Sequence, residues 1–225
     1  MAPQISATQS RTEQGLLANI FLRQDTSAQP HMGSVQNVSQ DREIFAEGDH
    51  ADCFFKIVSG VVRTCKFLAD GRRQIDAFYV AGDIFGFEAG EDYQLSAEAV
   101  TDCTLIVYRR NKIDALAGSD KIASHELLAF AMRGMARAQA HSLLLGRRSA
   151  MEKVAGFLLT WAQASANRKT VSLAMTRQDI GDYLGLTIET VSRTLSQMER
   201  ENVIDLPTAR QIRVRNLEML EDMAA

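Results

Sequence analysis

Hydrophobic and polar positions change their rhythm along the chain. From about Ser34 to Leu116, short apolar runs are broken by glycine turns. Cys53–Val58, Val61–Phe67, Gln74–Val80 and Thr104–Tyr108 each predict a strand. Ser59-Gly60, Asp70-Gly71 and Gly82-Asp83 fall between them, and Asp70-Gly71 is a strong hairpin signal. Many short strands at regular spacing predict a β-sandwich or barrel. From Lys121 to about Arg147 the rhythm becomes helical, with no proline. Leu128, Ala131, Met135, Ala138, Ser142 and Leu145 recur three and four apart, the a/d seam of a coiled coil. Small side chains at Ala131 and Ala138 permit close approach, so this seam is the expected dimer interface, the alternative being an amphipathic helix packed on its own domain. Ser149–Ala164 predicts another helix, with Trp161 in the core behind it. Asn167–Ser172 predicts a turn and a first small hairpin.

The most informative stretch is Thr176–Arg193, TRQDIGDYLGLTIETVSR. Thr176 suits an N-cap, with Asp179 three residues on as in a capping box. Ile180 and Leu184 mark a buried side, and Gly185 a left-handed stop. Thr187 then caps a second helix, which buries Val191, Leu195 and Met198. Its open side carries Ile188, Glu189, Ser192 and Arg193. Arg193 can donate two parallel bonds to guanine, and Glu189 can accept from cytosine N4. Ser192 can serve several bases, and Ile188 can pack on a thymine methyl. Thr176, Arg177, Gln178, Thr187 and Thr190 are placed for phosphates, which set register rather than sequence. Val203–Leu206 and Gln211–Val214 follow as strands around a turn at Pro207, Thr208 and Ala209. The bland alternative is a helical hairpin with merely solvated charges. It explains neither the two caps, the glycine and the polar face together nor the wing that follows them.

These residues resemble the CRP/FNR superfamily of bacterial transcription regulators, in particular its FNR and FixK branches. Glu189, Ser192 and Arg193 match the Glu-x-x-Ser-Arg signature of those branches. Glu47-Gly48, Phe55, Ser59-Gly60, Gly71, Gly82-Asp83 and Gly86 are similar to the β-roll of cyclic-nucleotide-binding domains. The resemblance implies an α+β chain in four parts. These are a partly ordered tail (1–33), a β-roll (34–118), a dimerisation helix (119–147) and a winged helix-turn-helix (148–225). It implies a homodimer on double-stranded DNA at a palindrome such as TTGAT-N4-ATCAA. Arg193 would read the guanine, Glu189 the opposite strand, and Ser192 would assist. An activator of this kind would also touch RNA polymerase, through the Ala164–Thr170 turn and the Ala69–Arg72 hairpin. FixK-like relatives serve low-oxygen and nitrogen-fixation programmes.

Composition narrows the control chemistry. The 225 residues, 46% hydrophobic and 24% charged, suit two modest globular domains. The net charge of −3 is unevenly spread, with eight basic and six acidic residues from Arg168 to Arg215. A mildly basic reader on an acidic body leaves more of the binding to specific contacts. The segment 1–33 is rich in Ser, Thr, Gln and Ala, and only Gly15–Arg23 could form a short amphipathic helix. No signal peptide or membrane span is evident, and three scattered cysteines fit a reducing cytoplasm.

Three inputs compete. Cyclic-nucleotide binders of this superfamily carry Glu directly after the phosphate-loop glycine and an Arg-Ser pair downstream. Here Phe87 follows Gly86, Glu88 comes one place late, and Leu95 precedes Ser96. Ala138 and Gln139 stand where that branch has Thr-Ser. An iron–sulfur cluster is excluded, because Cys53, Cys65 and Cys103 cannot supply four thiolates. No motif recruits His31, His50, His125 or His141 to haem. The expectation is therefore no cofactor, no metal and no obligatory ligand, with activity set by protein abundance. A CRP-like regulator gated by a small molecule or a redox signal is the alternative. The cysteines read as small core residues. A β-roll metal enzyme lacks clustered His and carboxylate ligands, so no catalytic residue is assigned. A β-roll protein adaptor would leave exposed Glu189 and Arg193 without a role.

Overall fold

The computed structural model describes residues 33–111, 121–164 and 169–224. The expected tail up to residue 32 and the 165–168 part of the turn near Ala164 lie outside them, while Gly33 already belongs to the first strand. Eight strands come first: β1 (Gly33–Val38), β2 (Glu43–Phe45), β3 (Cys53–Ser59), β4 (Val61–Phe67), β5 (Arg73–Val80), β6 (Ile84–Phe85), β7 (Ser96–Ala99) and β8 (Cys103–Arg109). They form two four-stranded sheets, ordered β1-β8-β3-β6 and β2-β7-β4-β5. The helices α1 (Lys121–Leu145) and α2 (Ala150–Ala164) follow, then β9 (Thr170–Ser172), α3 (Arg177–Leu184) and α4 (Ile188–Arg200). The chain ends with β10 (Ile204–Thr208), β11 (Gln211–Val214) and α5 (Leu217–Met223). This is the α+β arrangement of a β-roll and a winged helix-turn-helix.

Contacts divide the chain into two compact units. The first comprises residues 1–62 and 79–134, and the second 63–78 and 135–225. In the first unit Phe45, Phe55, Ile57, Val62, Phe85, Tyr93, Ala97 and Leu105 are buried in one core. Strand alternation aims Phe54 to the opposite side of β3, where it packs with Ile84 and Tyr108. Phe87 stacks on Phe54, with centroids 4.5 Å apart, and meets Phe130 of α1 at 5.2 Å. The residue after Gly86 is thus an aromatic packing element. Glu88, one place later, accepts from the Gln94 amide at 3.3 Å.

The second unit holds the β4–β5 hairpin with the C-terminal helices. Phe157, Leu158, Met175, Ile180, Leu184, Val191, Leu195, Met198 and Ile212 are buried there. Three details differ from the pattern-based expectation. The wing strand β10 runs through Pro207 and Thr208, leaving Ala209 and Arg210 as the turn. It tolerates proline because β10 is the edge of the order β10-β11-β9 and its register shifts between Asp205 and Thr208. The strand β9 pairs with β11 rather than with a sequence neighbour. Trp161 is half-buried, edge-on to Phe78 at 6.3 Å, rather than a core residue.

Candidate nucleic-acid interface

Two helices and a tight turn build the candidate interface. Thr176 and Asp179 form a full capping box: the Asp179 amide donates to Thr176 Oγ1 at 3.1 Å, and the Thr176 amide to Asp179 Oδ2 at 2.9 Å. Thr176 Oγ1–H also donates to Asp179 Oδ2, at 2.8 Å. Both donors of Thr176 are therefore engaged within the cap. Contact with an anion at this end falls to Arg177, Gln178 and the first-turn amides. Gly185 ends α3 at φ 65°, the left-handed conformation expected of it.

Thr187 caps α4 by accepting from the Thr190 amide at 3.2 Å. The buried side of α4 holds Val191, Thr194, Leu195 and Met198. Its open side carries exposed Ile188, Glu189 and Arg193, with Ser192 and Thr190 half-buried at the margins. The Glu189 carboxyl is held below its ordinary value. Its own backbone amide contributes most, then the Thr187 hydroxyl, with Arg193 adding a smaller attraction. It is thus an ionised acceptor in the neutral range, as readout of a cytosine amino group requires. The stripe continues through exposed Gln197 and Arg200, which repeat at the same helical spacing and were not anticipated. Gln197 Nε2 donates to Glu201 at 2.9 Å. In the wing, exposed Arg210 stands at the turn, while Asp205 accepts from Arg215 Nε at 2.6 Å.

Further supports of α3 were not anticipated. The β4–β5 hairpin sends Arg63 and Arg73 to Asp179, and Arg73 also to Asp182. His141 lies flat on Tyr183, with centroids 3.9 Å apart, and its Nε2 is 2.8 Å from the Tyr183 carbonyl. Lys153 Nζ donates to the Leu184 carbonyl at 3.3 Å. Proximity of such distant residues has no signature in a local motif.

The expected seam on α1 is largely open. Leu128, Ala131, Met135, Ala138 and Ser142 are exposed, and Leu145 is half-buried. Met132 and Leu143 are also exposed, at 54% and 76%. Cys65 and Cys103 are buried, and Cys53 is half-buried. Among the described residues no cluster of His, Cys, Asp and Glu is placed to hold a metal, and no helix is long and apolar enough to cross a membrane.

A capped helix pair with a polar stripe and a β-wing defines a winged helix-turn-helix protein. Residues 152–223 match the Crp-like helix-turn-helix domain, and residues 35–120 the cyclic nucleotide-binding domain. The chain is 46% identical over 202 residues to the nitrogen fixation regulation protein FixK of Azorhizobium caulinodans, covering 85% of this chain and 82% of that protein. It is 42% identical to the protein of the same name from Rhizobium meliloti, covering 81% and 83%. The solved structure of FixK2 from Bradyrhizobium japonicum superposes with a TM-score of 0.82 at 41% identity, covering 86% of this chain and 98% of that one. The chain belongs to the CRP/FNR family of transcription regulators, in its FixK-like branch. It is a DNA-binding regulator and not an enzyme.

Proposed function

We propose that the chain acts as a cytoplasmic homodimer that activates transcription from a palindrome of the form TTGAT-N4-ATCAA. The observation that carries this reading is the stripe Ile188, Glu189, Ser192 and Arg193 on the open side of a capped helix. Arg193 reads guanine and Glu189 the opposite strand, assisted by Ser192, while Ile188 meets a thymine methyl. Arg177, Gln178, Thr187 and Thr190 set the register on phosphates. The open α1 seam supports dimerisation, which places two reading helices about 34 Å apart on one face of the duplex. RNA polymerase is the further partner of an activator. The names of the FixK relatives support nitrogen-fixation or low-oxygen genes as targets.

Binding needs no nucleotide in this reading. The packing of Phe87 against Phe54 and Phe130 supports it, because an aromatic side chain sits where nucleotide binders of the superfamily carry a carboxylate. The test is selection of bound sequences from random duplexes with nucleotide-free and metal-free protein. Recovery of an inverted repeat with the expected half-site supports site, symmetry and ligand independence together. Recovery of nothing, or of sites only when a cyclic nucleotide is added, rejects the proposal.

A further inference from the structure

Asp179 and Asp182 share one layout. Each carboxylate has one oxygen on the β4–β5 hairpin and the other on the first turn of α3. Asp179 Oδ1 accepts from Arg63 Nη1 at 3.1 Å and from Arg73 Nη2 at 2.5 Å, while its Oδ2 takes both donors of Thr176. Asp182 Oδ2 accepts from Arg73 Nε at 2.9 Å, and its Oδ1 accepts from Gln178 Nε2 at 2.6 Å. The arginines come from a hairpin more than one hundred residues earlier in the chain. Gln74, beside Arg73, adds a bond to the Tyr183 carbonyl near the other end of α3.

We infer that Arg73, assisted by Arg63, is a positioning residue for DNA binding that holds the phosphate-facing turn of α3 through Asp182 and Asp179. The inference rests on the proposed assignment of Arg177 and Gln178 to phosphates. Arg73 fixes Asp182, and Asp182 orients Gln178. Arg63 and Arg73 fix Asp179, and Asp179 holds the cap from which Arg177 and Gln178 project.

Burial makes the linkage stiff. The Asp179 side chain is 2% exposed, Arg63 10%, Asp182 12% and Arg73 17%. A buried ion network of this kind contributes little net stability over an apolar replacement, yet loss of one member leaves an uncompensated charge. Its value here is geometric: the planar guanidinium of Arg73 meets Asp182 through Nε and Nη2 and Asp179 through Nη2, which fixes direction as well as distance. It also has an electrostatic consequence. The two carboxylates would outweigh Arg177 on α3 and repel the duplex, and the hairpin arginines cancel them where the DNA backbone would pass.

The experiment compares full-length wild type with Arg73→Met, Arg73→Lys and Asp182→Asn. Affinity is measured on the palindromic duplex and a scrambled one across a salt series, with amide exchange of α3 followed in the free proteins. Arg73→Met should weaken palindrome binding roughly ten- to hundredfold, the scale on which supporting partners of a ligating residue act. The salt slope should fall by no more than the one phosphate contact of Arg177, because Arg73 acts through the residues it positions and neutralises no phosphate itself. Arg73→Lys should recover part of the affinity, and α3 amides should exchange faster in Arg73→Met while α4 keeps its protection. Wild-type affinity in Arg73→Met, or weakened affinity with wild-type α3 exchange, overturns the inference, the latter because it marks a direct phosphate contact. Should Arg73→Met fail to fold, Asp182→Asn decides. It is isosteric and outside the cap, and it should show faster α3 exchange and several-fold weaker palindrome binding, whereas wild-type values on both overturn the inference. If wild type itself ignores the palindrome, the DNA assignment fails. Unchanged α3 exchange in both variants rejects the clamp separately.

Discussion

The Leu186 amide donates to the Gly181 carbonyl at 2.9 Å, and a Cβ built on Gly181 would stand 2.7 Å from the Leu186 carbonyl oxygen. The turn between the two helices therefore folds back onto α3 at the one position without a side chain. Alanine would favour the helix by about 0.5–1 kcal/mol. It would also press a methyl group onto a backbone oxygen, and such overpacking costs about 1–3 kcal/mol. Gly181→Ala should therefore lower stability and weaken DNA binding. The lone tryptophan, Trp161 in α2, reports the unfolding. A urea midpoint at or above that of wild type would show that the turn yields freely.

Arg193 and Glu189 are four apart on the open side of α4 and act as a pair in the proposed readout. Arg193→Ala should cost about 1–3 kcal/mol on the palindrome and relax preference at the guanine. Scrambled DNA should bind nearly as before. Titration of both duplexes at fixed salt measures the difference. Equal losses on the two would reassign Arg193 to a phosphate.

Caps and stops were legible because they are local: Thr176, Asp179, Gly185 and Thr187 act within one helical turn of themselves. The strands of the first unit were legible as short apolar runs between glycine turns, and their arrangement as a β-roll through the resemblance. The wing boundary was not, because Pro207 signals a turn unless its strand is an edge, and edge position depends on which strands pair. Trp161 was misplaced because its neighbour Phe78 is far away in sequence. The same holds for the arginines behind α3: Arg63 and Asp179 are 116 residues apart. Gln197 and Arg200 lay on the readable stripe but beyond the family signature, where helical periodicity alone would have found them.

Every residue of α1 from Ala131 to Ala140 is exposed except Gly134, which is half-buried. A helix this open is marginal unless a second surface covers it. Met135, 51% exposed, lies at the middle of the predicted seam. Met135→Glu would set two like charges against each other across a two-fold axis, a cost on the order of several kcal/mol. Sedimentation should show monomers at concentrations where wild type is dimeric, with matching loss of palindrome affinity. An unchanged sedimentation profile would place the interface elsewhere.

Alkaline pH probes the packing around α3. Burial, with a smaller contribution from Asp76, pushes the Tyr183 hydroxyl up to about 12 from 10.0. The folded state therefore keeps this proton where the unfolded chain loses it. Its contribution to stability is complete below pH 10.0 and is lost as pH rises toward about 12. Tyr93 in the first unit is also pushed up to about 12, chiefly by burial, and adds to the same decline. Tyr183→Phe should flatten the part of the decline reported by Trp161 while leaving neutral pH stability within about 1 kcal/mol. An identical alkaline profile in the variant would show that Tyr183 ionises without hindrance.

Arg177 offers a contrast to Arg193. It is the first residue of α3, half-buried, and its Nε is buried without a hydrogen-bond partner. The stem is thus held in place while the outer guanidinium nitrogens remain to meet an anion at the helix N-terminus. A residue that neutralises one phosphate releases counterions whatever the base sequence. Arg177→Ala should therefore weaken palindromic and scrambled duplexes by similar factors and reduce the slope of log affinity against log salt by about one. The comparison must include both duplexes and span a salt series, because on the palindrome alone at a single ionic strength this loss resembles that of Arg193→Ala. If Arg177→Ala keeps the wild-type slope and loses discrimination between duplexes, Arg177 reads bases and the phosphate register rests on Gln178, Thr187 and Thr190.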